Sequence, residues 1–390
     1  MITFGVDIGK FRHQAIVVDS NGQPLNSSFS FDNTEDGFKL FLKQIDIFQQ
    51  QDCICVGMEA TGHYWLNLYC ALMELGIELH VVNPILTDAM RRMSVRKTKT
   101  DTVDCRYIAD VIRMGNYSDI SVQTSDIQEL RQLCRFRYNL VDEAGMIKNR
   151  VIGILDRIFP EYSKLFSNVF GTTSMALLSK YQSPDALLKL GTKRLVEFLK
   201  KHSRGRLGEK KAKEIREACK HSVGINMANN ALSFQLRMMV EHIQFIEEQI
   251  DELQKQIESI YSRCECYLDT IIGVGVVSGA VIFSEIGNIE NFNNSKKLTA
   301  FAGIDPSIKQ SGNFTSTKNT MSKRGSVYLR RALWNAATVA AQQDPALSAF
   351  YQKKRAEGKD YMTAIGAVSH KLCNIVFAVL RDKKAYVPRV

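Results

Sequence analysis

The chain has 390 residues, enough for two or three domains, and its formal net charge of +10 predicts a polyanionic partner, although a merely basic soluble protein has the same balance. Its nine cysteines include no Cys-x-x-Cys pair, and Cys264-x-Cys266 has no histidines at ligand spacing, so no zinc site is expected and reduced thiols in a cytosolic protein are expected instead. The N-terminus has no basic n-region before an apolar core, and the longest apolar run, Ile271 to Phe283, is too short to span a bilayer, so no membrane partner is expected.

The first 114 residues predict three strands followed by alternating helices and strands. The predicted strands are 2–8, 14–18, 25–31, 53–58 and 77–82. The predicted helices are one that begins at Asn33 or Thr34, then 63–75, 85–94 and 101–114. This order is that of an RNase H-like (RuvC-like) fold, so we expect an α/β domain over residues 1–125.

Four acidic residues stand at the ends of these predicted elements. Asp7 lies in the first strand, Glu59 ends the fourth, and Asp101 and Asp104 share a face of one helix. A buried aspartate without a partner is costly, and paired carboxylates repel unless a cation neutralises them. Oxygen-only ligands suit Mg²⁺ or Mn²⁺, and two such ions can act on a phosphodiester. The alternative is four unrelated surface acids.

Cations bracket Asp101 and Asp104 in the sequence. Arg92, Lys97 and Lys99 are candidate nucleic-acid contacts, and Arg91, Arg96 and Arg106 lie in the same stretch. Basic side chains beside a carboxylate site fit a nucleic-acid backbone that must come close. Simple salt bridging explains them equally well.

Residues 126–264 predict a helical region. A basic helix is expected over 126–158, and several short helices over 161–225. Residues 232–260 carry two apolar series that step by seven, one through Leu236 and one through Leu232, as the a and d positions of a coiled coil do. The pattern favours a helical partner, either another subunit or residues 126–158; the alternative is an amphipathic helix buried on its own protein.

Residues 265–390 predict a mostly helical C-terminal domain. Residues 271–287 have the character of a helix, a Gly-x-Gly turn and a second helix, as in a helix-hairpin-helix element that binds phosphate. Ser311 follows in a polar, loop-like stretch. The cations around it, Lys309, Lys318, Lys323 and Arg324, predict a phosphate-binding loop. A nucleophilic serine needs activation, and no histidine lies nearby in the sequence.

The chain resembles the IS110 family of transposases, the bridge-RNA-guided recombinases, over nearly its whole length. The N-terminal half carries G-V-D-I-G-K at 5–10, G-M-E-A-T-G at 57–62 and K-T-D-T-V-D at 99–104. The C-terminal part carries I-I-G-V-G from Ile271, F-A-G-I-D-P at 301–306, Q-S-G at 310–312 and S-K-R-G at 322–325. Each motif is weak alone, but their order and spacing are specific.

The resemblance implies a mechanism that joins the two sites. Asp7, Glu59, Asp101 and Asp104 would hold Mg²⁺ as a DEDD quartet, and Ser311 would attack the scissile phosphate to form a phosphoserine–DNA intermediate. Many family members have Ser-Ser-Gly where this chain has Gln310-Ser311-Gly312, so Ser311 is the natural match, with Ser307, Ser316 and Ser322 as alternatives.

The resemblance also implies partners. These are donor and target DNA, a structured noncoding bridge RNA, and further copies of the chain in a homodimer that assembles to a tetramer. The acidic domain of one subunit would then meet the serine domain of another, and the heptad helix would serve as an oligomerisation arm.

Two other functions fit the same residues. A RuvC-like metal nuclease would cut branched DNA by water attack and would not need Ser311. A nonenzymatic nucleic-acid scaffold would need neither Ser311 nor Asp7 for chemistry.

Overall fold

The computed structural model of the chain describes residues 1–60, 62–93, 100–115, 125–307, 310–311, 314–315 and 320–388, with only the backbone described at 310–311 and 314–315. The chain forms two compact units, Met1–Val122 and Gln123–Val390. The N-terminal unit is mixed α/β, and the C-terminal unit is almost entirely helical. This agrees with the fold class predicted from the sequence at that level.

The described residues of the N-terminal unit form one five-stranded sheet and four helices. Its strands are Ile2–Asp7 (β1), Arg12–Val18 (β2), Phe29–Asp32 (β3), Ile54–Glu59 (β4) and Glu78–Val82 (β5). Its helices are Glu35–Gln49 (α1), Trp65–Met73 (α2), Pro84–Met93 (α3) and Asp101–Met114 (α4). The strand order is β3-β2-β1-β4-β5, with β1, β4 and β5 parallel and β2 antiparallel to both of its neighbours.

Alternation along the strands decides which helix each side chain meets. Phe4 and Val6 of β1 belong to the apolar core that α1 and α2 cover. On the opposite face, Gly5 of β1 lies directly across from Gly57 of β4. A Cβ added to Gly5 would lie 2.1 Å from the carbonyl oxygen of Cys105, so α4 packs against bare backbone at this point.

The predicted third strand is longer than the observed one. Residues 25–28 lie outside β3, although Leu25 still donates its backbone N–H to the carbonyl of Val17 at 2.9 Å. Pro24 forms an isolated bridge with Val18 instead of a continuous ladder. A proline has no N–H to donate, which shortens the pairing at this edge.

The C-terminal unit contains twelve helices within the part of the chain that the structure describes. They are Ser125–Ile158 (α5), Tyr162–Leu165 (α6), Thr172–Lys180 (α7), Pro184–Leu190 (α8), Thr192–His202 (α9), Glu209–Lys220 (α10), Asn229–Tyr261 (α11), Val276–Ile286 (α12), Ser295–Ala302 (α13), Val327–Gln343 (α14), Pro345–Ala356 (α15) and Tyr361–Asp382 (α16). The described part of the unit also has two 3-10 turns, Leu268–Thr270 and Ile289–Asn291, and the short strands Gln310–Ser311 (β6) and Phe314–Thr315 (β7).

The two longest helices, α5 and α11, pack against each other in antiparallel orientation. Lys148 of α5 pairs with Glu247 of α11 at 2.7 Å, and the start of α5 lies beside the end of α11, where Asp126 is 4.0 Å from Arg263. Leu236, the first residue of one heptad series, is fully buried in the apolar seam that α11 turns toward its own unit. The sequence left two helical partners open for the heptad helix. In the structure its partner is the helix formed by residues 126–158 of the same chain.

One predicted element in the C-terminal unit is wrong. The segment before the Gly-x-Gly turn is not a helix but the 3-10 turn Leu268–Thr270 and a further turn through Gly273, and α12 begins at Val276. Gly273 has φ +94, and a Cβ there would lie 2.7 Å from the carbonyl oxygen of Ala336 in α14. The close approach to α14 holds this segment in a turn, which periodicity does not reveal.

Among the residues that the structure describes, one helix, Tyr361–Asp382, is long and apolar enough to cross a membrane by length and composition. Half of its most apolar window is buried inside the unit, and Val368 and Leu372 are fully buried in the core. A buried core helix of a soluble protein passes the same test, so this is weak evidence for a membrane span.

Candidate functional site

The four predicted acidic residues meet at one edge of the N-terminal sheet. Asp7 ends β1 and Glu59 ends the neighbouring parallel strand β4, each two residues after the glycine on its strand that faces α4. Because side chains two residues apart point to the same face, both carboxylates project toward α4. Asp101 and Asp104 occupy the first turn of α4, which Thr100 caps by accepting from the backbone N–H of Val103 at 3.4 Å.

Asp7 experiences the charge of the other three acids. Burial raises the pKa of the Asp7 carboxyl from 3.8 to about 6, and the negative charges of Asp104, Asp101 and Glu59 contribute to the increase in that order of importance. Desolvation and like charges both disfavour the carboxylate form. The cluster therefore carries excess negative charge that favours a cation.

Two side chains of α3 already engage this cluster. Thr87 Oγ1 donates to Glu59 Oε2 at 2.5 Å. Arg91 donates to Asp104 Oδ1 from Nε at 3.1 Å and from Nη2 at 2.9 Å, and Asp104 is only 8% exposed. Thr87 and Arg91 are four residues apart and so share one face of α3.

Within the described ranges, no group of three or more His, Cys, Asp or Glu side chains is arranged to hold a metal ion. The other three carboxylates are close enough to raise the pKa of Asp7, yet Asp104 accepts hydrogen bonds from Arg91, and Glu59 accepts one from Thr87. The chemistry of the donor set nevertheless fits a hard divalent cation, because all four side chains offer carboxylate oxygens.

The C-terminal motifs form a second candidate site. Segments 301–306 and 322–325 pair through their backbones: Lys323 N–H donates to Gly303 at 3.0 Å and Ser322 N–H to Asp305 at 2.9 Å. Gly303 has φ +67, and a Cβ there would lie 2.1 Å from the carbonyl oxygen of Arg324. The two motifs therefore build one stem with glycine where the backbones touch.

Ser311 lies in the segment that this stem supports. Its backbone pairs with Phe314 in the β6–β7 hairpin, and an isolated bridge between Pro306 and Met321 closes the segment below it. Two alternative serines have structural partners. Ser307 Oγ donates to the carbonyl of Thr320 at 2.9 Å, and Ser322 Oγ donates to the Asp305 carboxylate. Ser316 lies outside the described residues.

The predicted basic contacts separate into three groups. Lys97, Lys99, Lys309 and Lys318 lie outside the described residues. Arg92 pairs with Asp88 at 2.7 Å while its side chain stays 81% exposed, whereas its neighbour Arg91 enters the acidic cluster. Lys323 and Arg324 are exposed on the stem, and Lys323 has the left-handed φ of +52, rare for a residue with a side chain.

Sequence reasoning missed Thr87 and grouped Arg91 with the general basic surface. The available signal was their spacing of four residues on the helix that follows β5, which places both on the face toward the neighbouring carboxylates.

Two family models match the chain. Residues 4–160 match a transposase model of the IS110 DEDD type, and residues 266–352 match one described as the transposase IS116/IS110/IS902 family. Together they cover more than half of the chain. The chain belongs to the IS110 family of transposases. The first match contains all four acidic residues, and the second contains Ser311 and both stem segments.

Relatives from insertion elements agree with this assignment. The chain is 28% identical to the IS110 43.6 kDa protein of Streptomyces coelicolor, over 77% of this chain and 76% of the relative. It is 25% identical to the IS116 44.8 kDa protein of Streptomyces clavuligerus, over 99% and 96%. It is 24% identical to the transposase for IS1111A of Coxiella burnetii, over 85% and 79%. Membership of this transposase family implies DNA substrates, and the DEDD domain suggests dependence on a divalent metal.

Proposed function

We propose that this IS110-family transposase cleaves and rejoins DNA through a covalent phosphoserine intermediate, with a divalent cation held by its acidic quartet. The observation that carries the proposal is the meeting of Asp7, Glu59, Asp101 and Asp104 at one sheet edge. Four acids without a common purpose would not be expected to share an edge where they raise the pKa of Asp7. The strand order of the N-terminal unit supports an RNase H-like (RuvC-like) fold.

The acidic residues would hold Mg²⁺ or Mn²⁺. When bound, such a cation stabilises negative charge on a phosphate and so assists attack and departure of the ester oxygens. The residues themselves bind and orient. Thr87 holds the Glu59 carboxyl, and Arg91 pairs with the Asp104 carboxylate, for which a cation would have to compete.

Ser311 is the proposed nucleophile. Its Oγ forms a bond to phosphorus while one P–O bond of the DNA strand breaks, and the released sugar hydroxyl takes up the proton that the serine loses. The phosphodiester becomes a phosphoserine ester of similar energy, so the reverse attack by another strand end rejoins DNA without an external energy source. The hydrogen bonds of Ser307 and Ser322 within the stem favour Ser311 over these two serines.

The remaining partners are also proposals. The net charge of +10 supports binding of DNA and of a structured noncoding RNA that pairs with donor and target sites. A homodimer that assembles to a tetramer would let the acids of one subunit act with Ser311 of another. The protein would act in the cytoplasm, at the nucleoid.

Trapping the covalent adduct tests the mechanism. Wild-type protein with Mg²⁺ and its donor DNA should give a protein–DNA adduct that survives denaturation, and Ser311→Ala and Asp7→Asn should give none. Ser307→Ala is the matched control and should retain the adduct. Cleavage that persists in Ser311→Ala without an adduct would support water attack by a nuclease, and no cleavage by any form would support a scaffold.

Mixing two inactive variants tests where the site is completed. Asp7→Asn and Ser311→Ala subunits, mixed, should regain activity only if acids and serine come from different subunits. Sequencing of RNA that copurifies with the wild-type protein tests the guide; recovery of unrelated fragments alone would count against it.

A further inference from the structure

A cavity of about 770 Å³ opens beside the stem in the C-terminal unit. It lies between α14 and α16, and Pro306 and Met321, the bridged residues that close the segment carrying Ser311, belong to its wall. Its volume lies within the range of about 300–1,000 Å³ that is usual for small-ligand sites.

The wall of this cavity is mainly apolar and carries one large aromatic side chain. Trp334 of α14 faces Gly366 of α16: a Cβ at Gly366 would lie 3.7 Å from Trp334 Cζ3 and 3.1 Å from Met321 Cε. At the mouth, Val327 is 61% exposed and Met362 is 59% exposed. Large apolar side chains that stay in water around an open aromatic wall fit a flat, partly apolar ligand.

The charged residues at this cavity are cationic. Lys323, Arg330 and Arg331 line it, and the described lining residues include no carboxylate. Arg331 is paired with Asp142 at 2.8 Å and Arg330 donates to the carbonyl of Ala302 at 3.2 Å, so both are partly engaged. The ammonium group of Lys323 has no hydrogen bond or ion pair within the described part of the chain, which leaves it for an anion.

We propose that this cavity receives one unstacked nucleobase of the DNA strand that Ser311 attacks, with the base against Trp334 and a flanking phosphate at Lys323. The inference rests on the proposed function, because only then must a DNA phosphate approach the segment above the Pro306–Met321 bridge. Every base presents a flat π-face to an indole ring, and unstacking it is a known route to a reactive phosphate or base. An apolar wall with cations at its mouth matches that amphipathic ligand.

Fluorescence of Trp334 reports the contact directly. The chain has two tryptophans, so Trp65→Phe leaves Trp334 as the one emitter. The same protein also carries Ser311→Ala and is measured without Mg²⁺, so that no strand cleavage accompanies binding. A short single-stranded oligothymidylate should quench Trp334, while an abasic oligonucleotide of equal length, and so of equal charge, should not.

Substitutions at the ring separate stacking from charge. Trp334→Ala should weaken binding of the oligothymidylate by roughly 10-fold or more, since stacking on an aromatic side chain contributes that much per base. Trp334→Phe keeps a ring and should lose less. Phe245→Ala, at an exposed phenylalanine of α11, is the matched control and should leave the affinity unchanged.

Three results would overturn the inference: quenching by the abasic strand, unchanged affinity in Trp334→Ala, or preference of the cavity for an RNA oligonucleotide over DNA of the same sequence. The covalent-adduct assay is independent of these. An absent wild-type adduct with intact base-dependent quenching would refute the phosphoserine mechanism but keep the base-binding cavity. A normal adduct without quenching would refute the cavity alone.

Discussion

Replacing Asp7 by asparagine should stabilise the metal-free protein at neutral pH. The fold raises the Asp7 pKa from 3.8 to about 6, so ionisation of this carboxyl opposes folding. Well below pH 4 the carboxyl is protonated in both the folded and the unfolded state, so it does not reduce stability. The loss of stability develops as the pH rises through about 6, because the unfolded state then ionises more readily than the folded state. Asparagine keeps the shape without the charge.

The rise in the Asp7 pKa sets the size of the expected change in unfolding free energy. A change of pKa from 3.8 to about 6 corresponds to about 3 kcal/mol. Because Asp7 is half-buried and solvent screens part of the repulsion, we expect about 1–2 kcal/mol in the folded protein. The difference in unfolding free energy between Asp7→Asn and wild type should grow from near zero at about pH 3 to that value at about pH 7.5.

Urea denaturation of the full chain at several pH values, with and without Mg²⁺, measures this difference. Mg²⁺ should stabilise the wild type at neutral pH and should stabilise Asp7→Asn much less. Asp46→Asn, at an exposed carboxylate on α1, is the control and should respond to neither pH nor Mg²⁺ differently from wild type. If Asp7→Asn destabilised the protein at neutral pH, or if its effect did not depend on pH, the other three acids and burial would not oppose the charge on Asp7.

Two further predictions concern packing. Gly5→Ala should lower the free energy of unfolding by about 1–3 kcal/mol or more, because its Cβ would enter the backbone of α4. Gly145→Ala, at a helical position with open space, is the control and should be neutral or stabilising. Equal melting temperatures of the two variants would contradict the close packing of α4. Leu236→Ala should destabilise the protein by about 2–5 kcal/mol in chemical denaturation, because the side chain is fully buried in the apolar core that α11 shares with α5 and its neighbouring helices. Phe234→Ala, 57% exposed on the same helix, should cost far less, and a reversal of that order would place the buried seam on the wrong face.

Local signals explain why most elements of the N-terminal unit can be predicted. The sequence predicts helix α4 over 101–114 and the structure has it there, because Thr100 caps its start and Gly115 takes the left-handed φ of +66 at its end. The prediction for the segment before α12 is wrong because its turn depends on Gly273 meeting α14, some sixty residues away. No local pattern records such a contact.

The sequence predicts the acids of the candidate site but not their neighbours. The sequence has a glycine two residues before each acid on β1 and β4. Strand alternation then places Asp7 and Glu59 on the same face as these glycines. Thr87 and Arg91 join the site only through the placement of α3 beside α4, since their carboxylate partners lie 28 and 13 residues away.

The sequence by itself determined the strand and helix order of the N-terminal unit, the four acids at their element ends, the position of Ser311 between two glycine-containing motifs, and the apolar seam of α11. Only the tertiary structure decided that this seam is covered by α5 of the same chain, that Arg91 rather than Arg92 enters the acidic cluster, and that the two motifs form one stem beside a cavity. Periodicity and spacing specify which face of an element is apolar or charged. They do not specify which distant element will cover it, because that choice depends on the packing of the whole unit.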